Sequence, residues 1–290
     1  MQSALKTVLA VAGLILPQAA LADDADLLDG DKLILTNAIT TIEGSSGGGI
    51  STWSTISGIE TEGVGVSAHA SIVELPEFGL QTHGFSLGIA NRVELSYARQ
   101  NFDTRFVGAA LGLGRGYMLN QDVYGAKVRL VGDLVYGDPL LPQVSAGVQY
   151  KRNLDRPVVL AVGAADNDGL DFTVSASKLI LAQSLLVSAT GRLTEANEAG
   201  LLGFGSAVGR GRSLQFEGSV AYQLSRRAVV GAEVRTKPDR LGLGEDDWFD
   251  LFAAYALTDN FTLAAAYVDL GSIATFENQR GAFFSAQFAF

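Results

Sequence analysis

The sequence predicts an all-β protein, namely a transmembrane, antiparallel, up-and-down β-barrel of about 14 strands, within a range of 12 to 16. Three observations support this prediction. Hydrophobic residues make up 48% of the chain, yet the longest strongly apolar run, Val8 to Leu16, is far short of the roughly 18 residues of a membrane-spanning helix. Apolar residues instead recur at every second position. The connections between these segments alternate between short and long.

The composition excludes several classes of protein. Charged residues are 18% of the chain, below the roughly 25% of soluble domains. The absence of cysteine excludes disulfides, Cys-ligated zinc and thiol catalysis. The formal net charge of −10 argues against a nucleic-acid partner, because phosphates require a basic surface.

The N-terminus has the pattern of a cleaved export signal over residues 1–22. Lys6 supplies the positive region, Val8 to Leu16 the apolar region, and Ala20-Leu21-Ala22 the cleavage pattern. Residues 23–32 contain five aspartates and are predicted to form an acidic periplasmic segment before a barrel over residues 33–290. The expected location is therefore the outer membrane of a Gram-negative bacterium.

Period-two alternation defines the strands along the rest of the chain, although the first two segments are poorly patterned, which widens the predicted count to between 12 and 16. In the last segment, Phe284 and Phe288 share one parity, whereas Ser285 and Gln287 share the other. Most segments have the 9–11 residues of a tilted membrane-crossing strand. The fourteen predicted strands cover residues 33–43, 50–60, 63–74, 83–91, 92–102, 120–133, 142–152, 171–180, 184–194, 214–225, 228–237, 247–257, 260–270 and 281–290.

The connections predict the orientation of the barrel. Tight turns alternate with longer loops that reach 153–170 and 195–213, so the tight turns are expected in the periplasm. The first outer loop, Gly44 to Gly49, is predicted to be short. Leu201 to Ser206 is assigned to a loop, since a further strand would make the total odd. Val158 to Ala165 lacks alternation and is predicted to be a short helix or loop inside the barrel mouth.

The C-terminus ends on alternating aromatic residues, Phe284, Phe288 and Phe290. This pattern resembles the C-terminal signal through which the barrel-assembly machinery recognises outer-membrane barrels, and it makes that machinery an expected partner. The alternatives are the final strand of a soluble sandwich or a soluble lipid-carrying periplasmic barrel. The export signal, the alternation and the loop asymmetry together favour the membrane barrel.

Parity predicts which charged side chains face the lumen. Six basic residues oppose four acidic ones, an excess of +2 in a chain that is acidic overall. We therefore expect a narrow porin-like channel for small polar solutes, with a preference for anions. The alternative is a structural barrel whose lumen is closed by ion pairs and loops. The predicted pore-lining residues are Lys127, Arg129, Lys151, Arg192, Arg235, Lys237, Glu94, Glu217, Glu233 and Asp250.

No pattern in the sequence predicts a catalytic site, cofactor or metal. The two histidines, His69 and His83, leave a lipid hydrolase as a third hypothesis, but His69 has lumen parity. A calcium loop starting at Asp166 would need a Glu at the position of Ser177. Outer-membrane lipid and lipopolysaccharide are the remaining expected partners.

Several motifs go beyond the generic barrel pattern. They include Thr41-Ile42-Glu43-Gly44 before Gly47-Gly48-Gly49, the stretch Arg92 to Gln100, and Ala266-Tyr267-Val268-Asp269-Leu270-Gly271. In these motifs the chain resembles a proteobacterial family catalogued as a domain of unknown function, over nearly all of the mature sequence. The resemblance implies an exported outer-membrane protein and transfers no activity or site residues.

Overall fold

The protein forms a closed antiparallel barrel of twelve strands in a computed structural model that describes residues 39–59, 62–136, 138 and 140–290. Each strand pairs with its neighbours in sequence, and the first strand closes the barrel by pairing with the last. The strands are β1 (Val64–Glu74), β2 (Gly79–Ile89), β3 (Val93–Asp103), β4 (Met118–Val131), β5 (Gln143–Asn153), β6 (Asp168–Ile180), β7 (Leu185–Thr194), β8 (Ser213–Ser225), β9 (Ala228–Arg235), β10 (Trp248–Ala256), β11 (Phe261–Asp269) and β12 (Arg280–Ala289).

The two ends of the barrel differ in their connections. Tight turns join β2 to β3, β6 to β7, β8 to β9 and β10 to β11, whereas the opposite end carries loops such as 104–117, 154–167 and 195–212. Two short helices lie in these loops, α1 (Arg105–Ala110) and α2 (Arg156–Val162). Among the described residues, no helix is long and apolar enough to cross a membrane. We call the two ends the short-turn end and the long-loop end.

The period-two pattern divides each strand between two surfaces. On β10, Leu251, Ala253 and Tyr255 point outward and are exposed, whereas Asp250 and Phe252 point inward and are buried. The outer surface is mainly apolar, and most inward positions on β3 to β9 are polar. This is the inverse of a soluble protein and the expected arrangement of a barrel surrounded by lipid.

The prediction of fourteen strands was wrong by two. The described part of the first predicted strand, residues 39–43, and the second, residues 50–59, lie inside the barrel and pair only through isolated bridges. We call residues 39–58 the plug. These two segments are poorly patterned in the sequence: their apolar residues recur at every third position, at Ile39 and Ile42 and at Ile50, Trp53 and Ile56. They lack the period of a lipid-facing strand because the barrel wall surrounds them and both of their faces are buried.

The structure also bears on the predicted loops, whereas the predicted N-terminal segments lie outside the residues that it describes. The predicted outer loop Gly44–Gly49 lies within the lumen as part of the plug. Val158 to Ala165 is confirmed as largely helical, and Leu201 to Ser206 belongs to the loop between β7 and β8. The predicted signal (1–22), the acidic segment (23–32) and residues 33–38 lie outside the described residues.

Candidate functional site: the plugged lumen

The plug fills the interior of the barrel. Every residue from Ile39 to Gly58 is buried except Gly49, which is half-buried. Both ends of the plug lie at the short-turn end: the Thr40 amide donates to Gln287 near the end of β12, and the Ile59 amide donates to the Phe290 carbonyl. The plug is therefore a loop that enters and leaves the lumen through one mouth.

The carboxylate of Glu43 anchors the plug among three cations of the wall. Its oxygens lie 2.6 Å from Lys151 Nζ, 2.8 Å from Arg235 Nη2 and 3.1 Å from Arg192 Nη2. Two wall carboxylates share the same cations, since Asp171 contacts Lys151 and Arg192, and Glu217 contacts Arg192. These three acidic and three basic side chains form a charge-balanced network, as buried charges require.

Wall carboxylates also bind the backbone of the plug. Glu94 accepts hydrogen bonds from the Ser46 and Ser57 amides at 3.1 and 2.9 Å. Glu217 accepts one from the Thr52 amide at 2.7 Å, and Glu233 one from the Ile50 amide at 2.9 Å. An irregular segment inside a protein needs partners for its amides, and here acidic side chains of the barrel wall provide them.

Donors of the wall bind the carbonyl groups of the plug. Lys127 Nζ lies 3.1 Å from the carbonyl oxygens of Ser46 and Trp53 and 3.2 Å from Glu94. Gln143 donates to the Ser54 carbonyl at 2.6 Å. The wall thus matches both the donors and the acceptors of the plug.

Apolar plug residues meet the less polar part of the wall. Ile39, Ile42, Ile50 and Trp53 belong to one buried cluster with wall residues of β10 to β12 such as Phe252 and Phe283. The Trp53 indole keeps a polar partner, donating to Ser219 Oγ at 2.8 Å. Packing and hydrogen bonding therefore place the plug in one orientation.

The predicted pore-lining residues fall into two groups. Eight are buried on the inner wall: Lys127, Lys151, Arg192, Arg235, Glu94, Glu217, Glu233 and Asp250. The other two lie apart. Arg129 pairs with Asp133 at the short-turn end, 3.5 Å away. Lys237 lies beyond the end of β9, where it contacts Glu198 at 2.8 Å and Glu245 at 2.9 Å.

Sequence reasoning missed two members of the site. Asp171 shares the inward parity of Thr173 and Ser175 on β6 but stands at the first position of the predicted strand, where parity was not applied. Glu43 was placed in a strand rather than in a plug. Asp171 adds one acidic residue to the inward strand positions, and Lys237 is removed from them because it lies beyond β9. The described inward positions then carry five basic and five acidic residues, so the predicted basic excess is not observed.

The loop between β7 and β8 covers the plug at the long-loop end. The carbonyl of Ala199 accepts hydrogen bonds from Gln121 and Lys151, both at 3.2 Å. Leu201, Leu202 and Phe204 of the same loop are buried. Two cavities beside the plug and this loop have volumes of only about 10 Å³, close to the minimum for a single water.

A buried carboxylate pair holds this loop near Lys237. Burial raises the pKa of Glu198 to about 8; the ion pair with Lys237 opposes this shift, and the adjacent Glu245 adds to it. Burial lowers the pKa of Lys237, but Glu198 and Glu245 outweigh that effect and raise it overall. The raised pKa means that Glu198 keeps its proton to a higher pH than an ordinary glutamate does.

The two histidines lie on opposite surfaces. His69 is buried on the inner wall, with Nε2 3.4 Å from Thr82 Oγ1. His83, inside β2 rather than at its start, points outward beside Arg99. The described residues of β1 to β4 place their serines on the inner face, away from His83, so they provide no Ser–His pair at the lipid-facing surface. No cluster of metal-ligating side chains occurs in the described part of the chain.

Comparison with solved structures shows similarity to barrels of the outer membrane. The KdgM porin in complex with disordered oligogalacturonate matches with a TM-score of 0.50 at 10% identity, over 78% of this chain and 99% of that chain. The NanC porin matches with a TM-score of 0.48 at 11% identity, over 78% and 98%. The outer membrane phospholipase A from Escherichia coli has a TM-score of 0.41 at 9% identity, over 78% and 91%. At these identities, the similarity concerns the fold.

Comparison with curated protein sequences gives no match. A family model does match residues 36–287, which include the plug and nearly the whole barrel. This match confirms the resemblance indicated by the sequence motifs. The chain belongs to the family described as "Protein of unknown function (DUF3034)".

Proposed function

We propose that this protein is an outer-membrane channel for small polar solutes that its own N-terminal plug holds closed. The observation that carries the proposal is the polar inner wall, whose charged groups bind the plug and would face water if the plug left. The apolar outer surface supports placement in the membrane. The KdgM porin supports the barrel architecture only.

The chemistry of the wall favours a plug that can leave. A lumen that only had to be filled would be equally stable with apolar side chains, since replacing a buried ion-pair network by apolar residues is often neutral or stabilising. A polar wall is compatible with two states, one with the plug bound and one with water in its place. Lys127 and Glu94 of the wall would remain ion-paired with each other in both of these states.

The path of the plug also permits withdrawal. Because both described ends lie at the short-turn end, the loop can leave toward that side without threading through the barrel. The cover formed by the β7–β8 loop lies at the other end and would have to shift separately. We infer that opening requires two events, release of the plug and displacement of this loop.

The charges of the wall bear on selectivity. The described inward strand positions are balanced, with five residues of each sign, and removal of the plug takes away one further carboxylate, Glu43. An empty lumen would therefore carry little net charge. We propose small polar solutes without strong preference for either sign, rather than the anions suggested by sequence parity.

Planar-bilayer recording tests the proposal. The wild-type protein should be closed for most of the recording, and a variant lacking residues 39–58 should show discrete, persistent conductance. Glu43→Gln should increase the open fraction, because it removes the shared partner of Lys151, Arg192 and Arg235. Loss of one partner from a buried ion pair costs about 3–5 kcal/mol.

Ser51→Ala is the matched control in the plug, since the buried Ser51 hydroxyl has no hydrogen-bond partner among the described residues, and it should behave as wild type. A plug-deleted barrel that folds, as judged by heat-modifiable mobility, yet never conducts would refute the channel. That result would instead support the structural barrel, closed by ion pairs and loops.

A further inference from the structure

A row of charged and titratable residues crosses the outer surface of the barrel, where lipid contact is expected. His83, Arg99, Asp122, Arg152 and Asp168 are direct cross-strand neighbours on β2, β3, β4, β5 and β6. All five have outward parity. We call these residues the outer polar row.

The outer polar row lies directly above a row of aromatic rings. Phe85, Tyr97, Tyr124 and Tyr150 occupy the next outward positions toward the short-turn end, and successive ring centroids are 5.2 to 6.3 Å apart. Aromatic residues mark the boundary between hydrocarbon and headgroups in membrane barrels. The outer polar row therefore begins where the headgroup region begins on this side of the barrel.

On β2 and β3 this boundary lies unusually close to the short-turn end. His83 and Arg99 are each six residues from the short-turn ends of their strands, at Ile89 and Val93. Six residues of a strand tilted by about 40° rise about 15 Å, compared with an apolar band of about 25 Å in typical barrels. On β8, by contrast, the exposed outward residues are apolar from Leu214 to Leu224.

The two arginines of the outer polar row have guanidinium N–H donors that remain accessible. Arg99 binds Asp122 through Nε at 2.6 Å and Nη2 at 3.0 Å, and Tyr97 donates to the same carboxylate at 2.8 Å. The Arg99 side chain is still 31% exposed. Arg152, on the other side of Asp122, is exposed and forms no salt bridge with any residue that the structure describes.

We propose that the outer polar row binds the phosphate of a phosphorylated glycolipid in the outer leaflet, with Arg152 and Arg99 as its donors. Guanidinium groups bind phosphate oxygens through paired hydrogen bonds. At the edge of the hydrocarbon region an exposed arginine costs about 0–1 kcal/mol, and an anionic headgroup beside it offsets that cost. The acyl chains would then lie along the aromatic row. This inference rests on the outer-membrane placement proposed above, but not on conduction.

Native mass spectrometry of the full chain in detergent tests the site. The purified protein is titrated with diphosphorylated lipid A and, separately, with a phosphate-free glycolipid of the same acyl composition. We expect one equivalent of the phosphorylated lipid to bind wild type, with affinity at least about tenfold weaker for Arg152→Gln, equivalent to about 1.4 kcal/mol. The phosphate-free lipid should not bind at this site, and inorganic phosphate should not compete.

Arg280→Gln is the matched control, because Arg280 also points outward at the long-loop end, on β12, where it pairs with Asp269. It should bind the phosphorylated lipid as wild type does. Arg99→Lys keeps the positive charge beside Asp122 but loses the paired hydrogen bonds of a guanidinium group, so it should weaken binding of the phosphorylated lipid. We prefer it to Arg99→Gln, which would leave Asp122 without its cation. Heat-modifiable mobility confirms that each variant is folded.

Equal binding by wild type and Arg152→Gln, or equal binding of the phosphate-free lipid, would overturn the proposal. A dimer peak that Arg152→Gln abolishes would assign the row to a second copy of the chain and would overturn it as well. None of these outcomes would affect the channel proposal. That proposal is tested independently by conductance, since plug-deleted Arg152→Gln should conduct as the plug-deleted parent does.

Discussion

At the scale of single residues, the contacts of Glu43 explain how an irregular segment stays in a polar lumen. One carboxylate satisfies three cations that belong to β5, β7 and β9, so it joins strands that are not neighbours in the sheet. In the opposite direction, the wall residues Glu94, Glu217 and Glu233 accept hydrogen bonds from backbone amides of the plug. Charge complementarity of this kind places a segment precisely even where regular backbone pairing is absent.

Gly48 of the plug is required by the closeness of this fit. A Cβ added at Gly48 would overlap the carboxylate of Glu233. Gly48→Ala should therefore loosen the plug and lower stability by about 1–3 kcal/mol, as overpacked interiors do. Thermal unfolding, together with protease cleavage of the plug, measures the effect.

Gly211→Ala is the control for this substitution, since nothing lies near its added Cβ and its backbone angle is not in the left-handed region. It should leave both the unfolding temperature and the cleavage rate unchanged. If Gly48→Ala also left them unchanged, the plug would be held less closely than its contacts indicate.

At the scale of elements, the plug and the β7–β8 loop close the lumen from opposite ends and use different chemistry. The plug is anchored by the ion-pair network around Glu43, whereas the loop contains Glu198, buried close to a second carboxylate. The loop should therefore contribute a pH dependence of its own to the closed state.

Raising the pH should destabilise the loop through Glu198. Its pKa is raised from an ordinary value of 4.5 to about 8 in the folded protein, so the folded state binds this proton more tightly than the unfolded state does. Stability should consequently fall as the pH rises from about 4.5 to 8. Glu198→Gln, which mimics the protonated form, should abolish this part of the pH dependence of the unfolding temperature.

Glu277→Gln is a suitable control for the loop experiment, because Glu277 is exposed in the neighbouring β11–β12 loop. Its pH profile should follow that of the wild type. A Glu198→Gln profile that kept the wild-type slope between pH 5 and 8 would show that Glu198 does not control the loop.

At the scale of the whole molecule, Phe290 contributes to the closure of the barrel. Phe290 exchanges two backbone hydrogen bonds of 2.8 Å with Val66 at the seam between β1 and β12. The neighbouring outward ring, Phe288, stacks on Phe261 at 4.5 Å. The C-terminal aromatic pattern proposed as an assembly signal thus coincides with the strand that completes the barrel.

Deletion of Phe290 should remove most of the folded, heat-modifiable species from outer-membrane fractions, because it removes both seam hydrogen bonds and the terminal ring. Phe290→Ala keeps the backbone and should have an intermediate effect. Phe249→Ala, which removes an outward ring on β10, is the control and should assemble normally. Equal effects of Phe249→Ala and Phe290→Ala would mean that the terminal ring has no special role in assembly.

The sequence by itself predicted a closed antiparallel barrel and located the twelve segments that form its strands, although it counted two more. Eight of the ten residues that parity placed toward the lumen are buried on the inner wall. The sequence could predict these features because a lipid-facing strand must show apolar residues at every second position, a local property that can be read from residues such as Phe249, Leu251 and Tyr255. Loop lengths predicted, on similarly local grounds, which end of the barrel carries the longer loops.

Only the tertiary structure decided that the lumen is closed. Residues 39–43 and 50–58 are extended but poorly patterned, and this weak local signal did not show that the barrel wall encloses them. Their enclosure depends on long-range contacts, such as those of Glu43 with Lys151 and Arg192, which are more than 100 positions away in the chain. The charges that suggested an open pore are, for this physical reason, the ones that hold the plug in place.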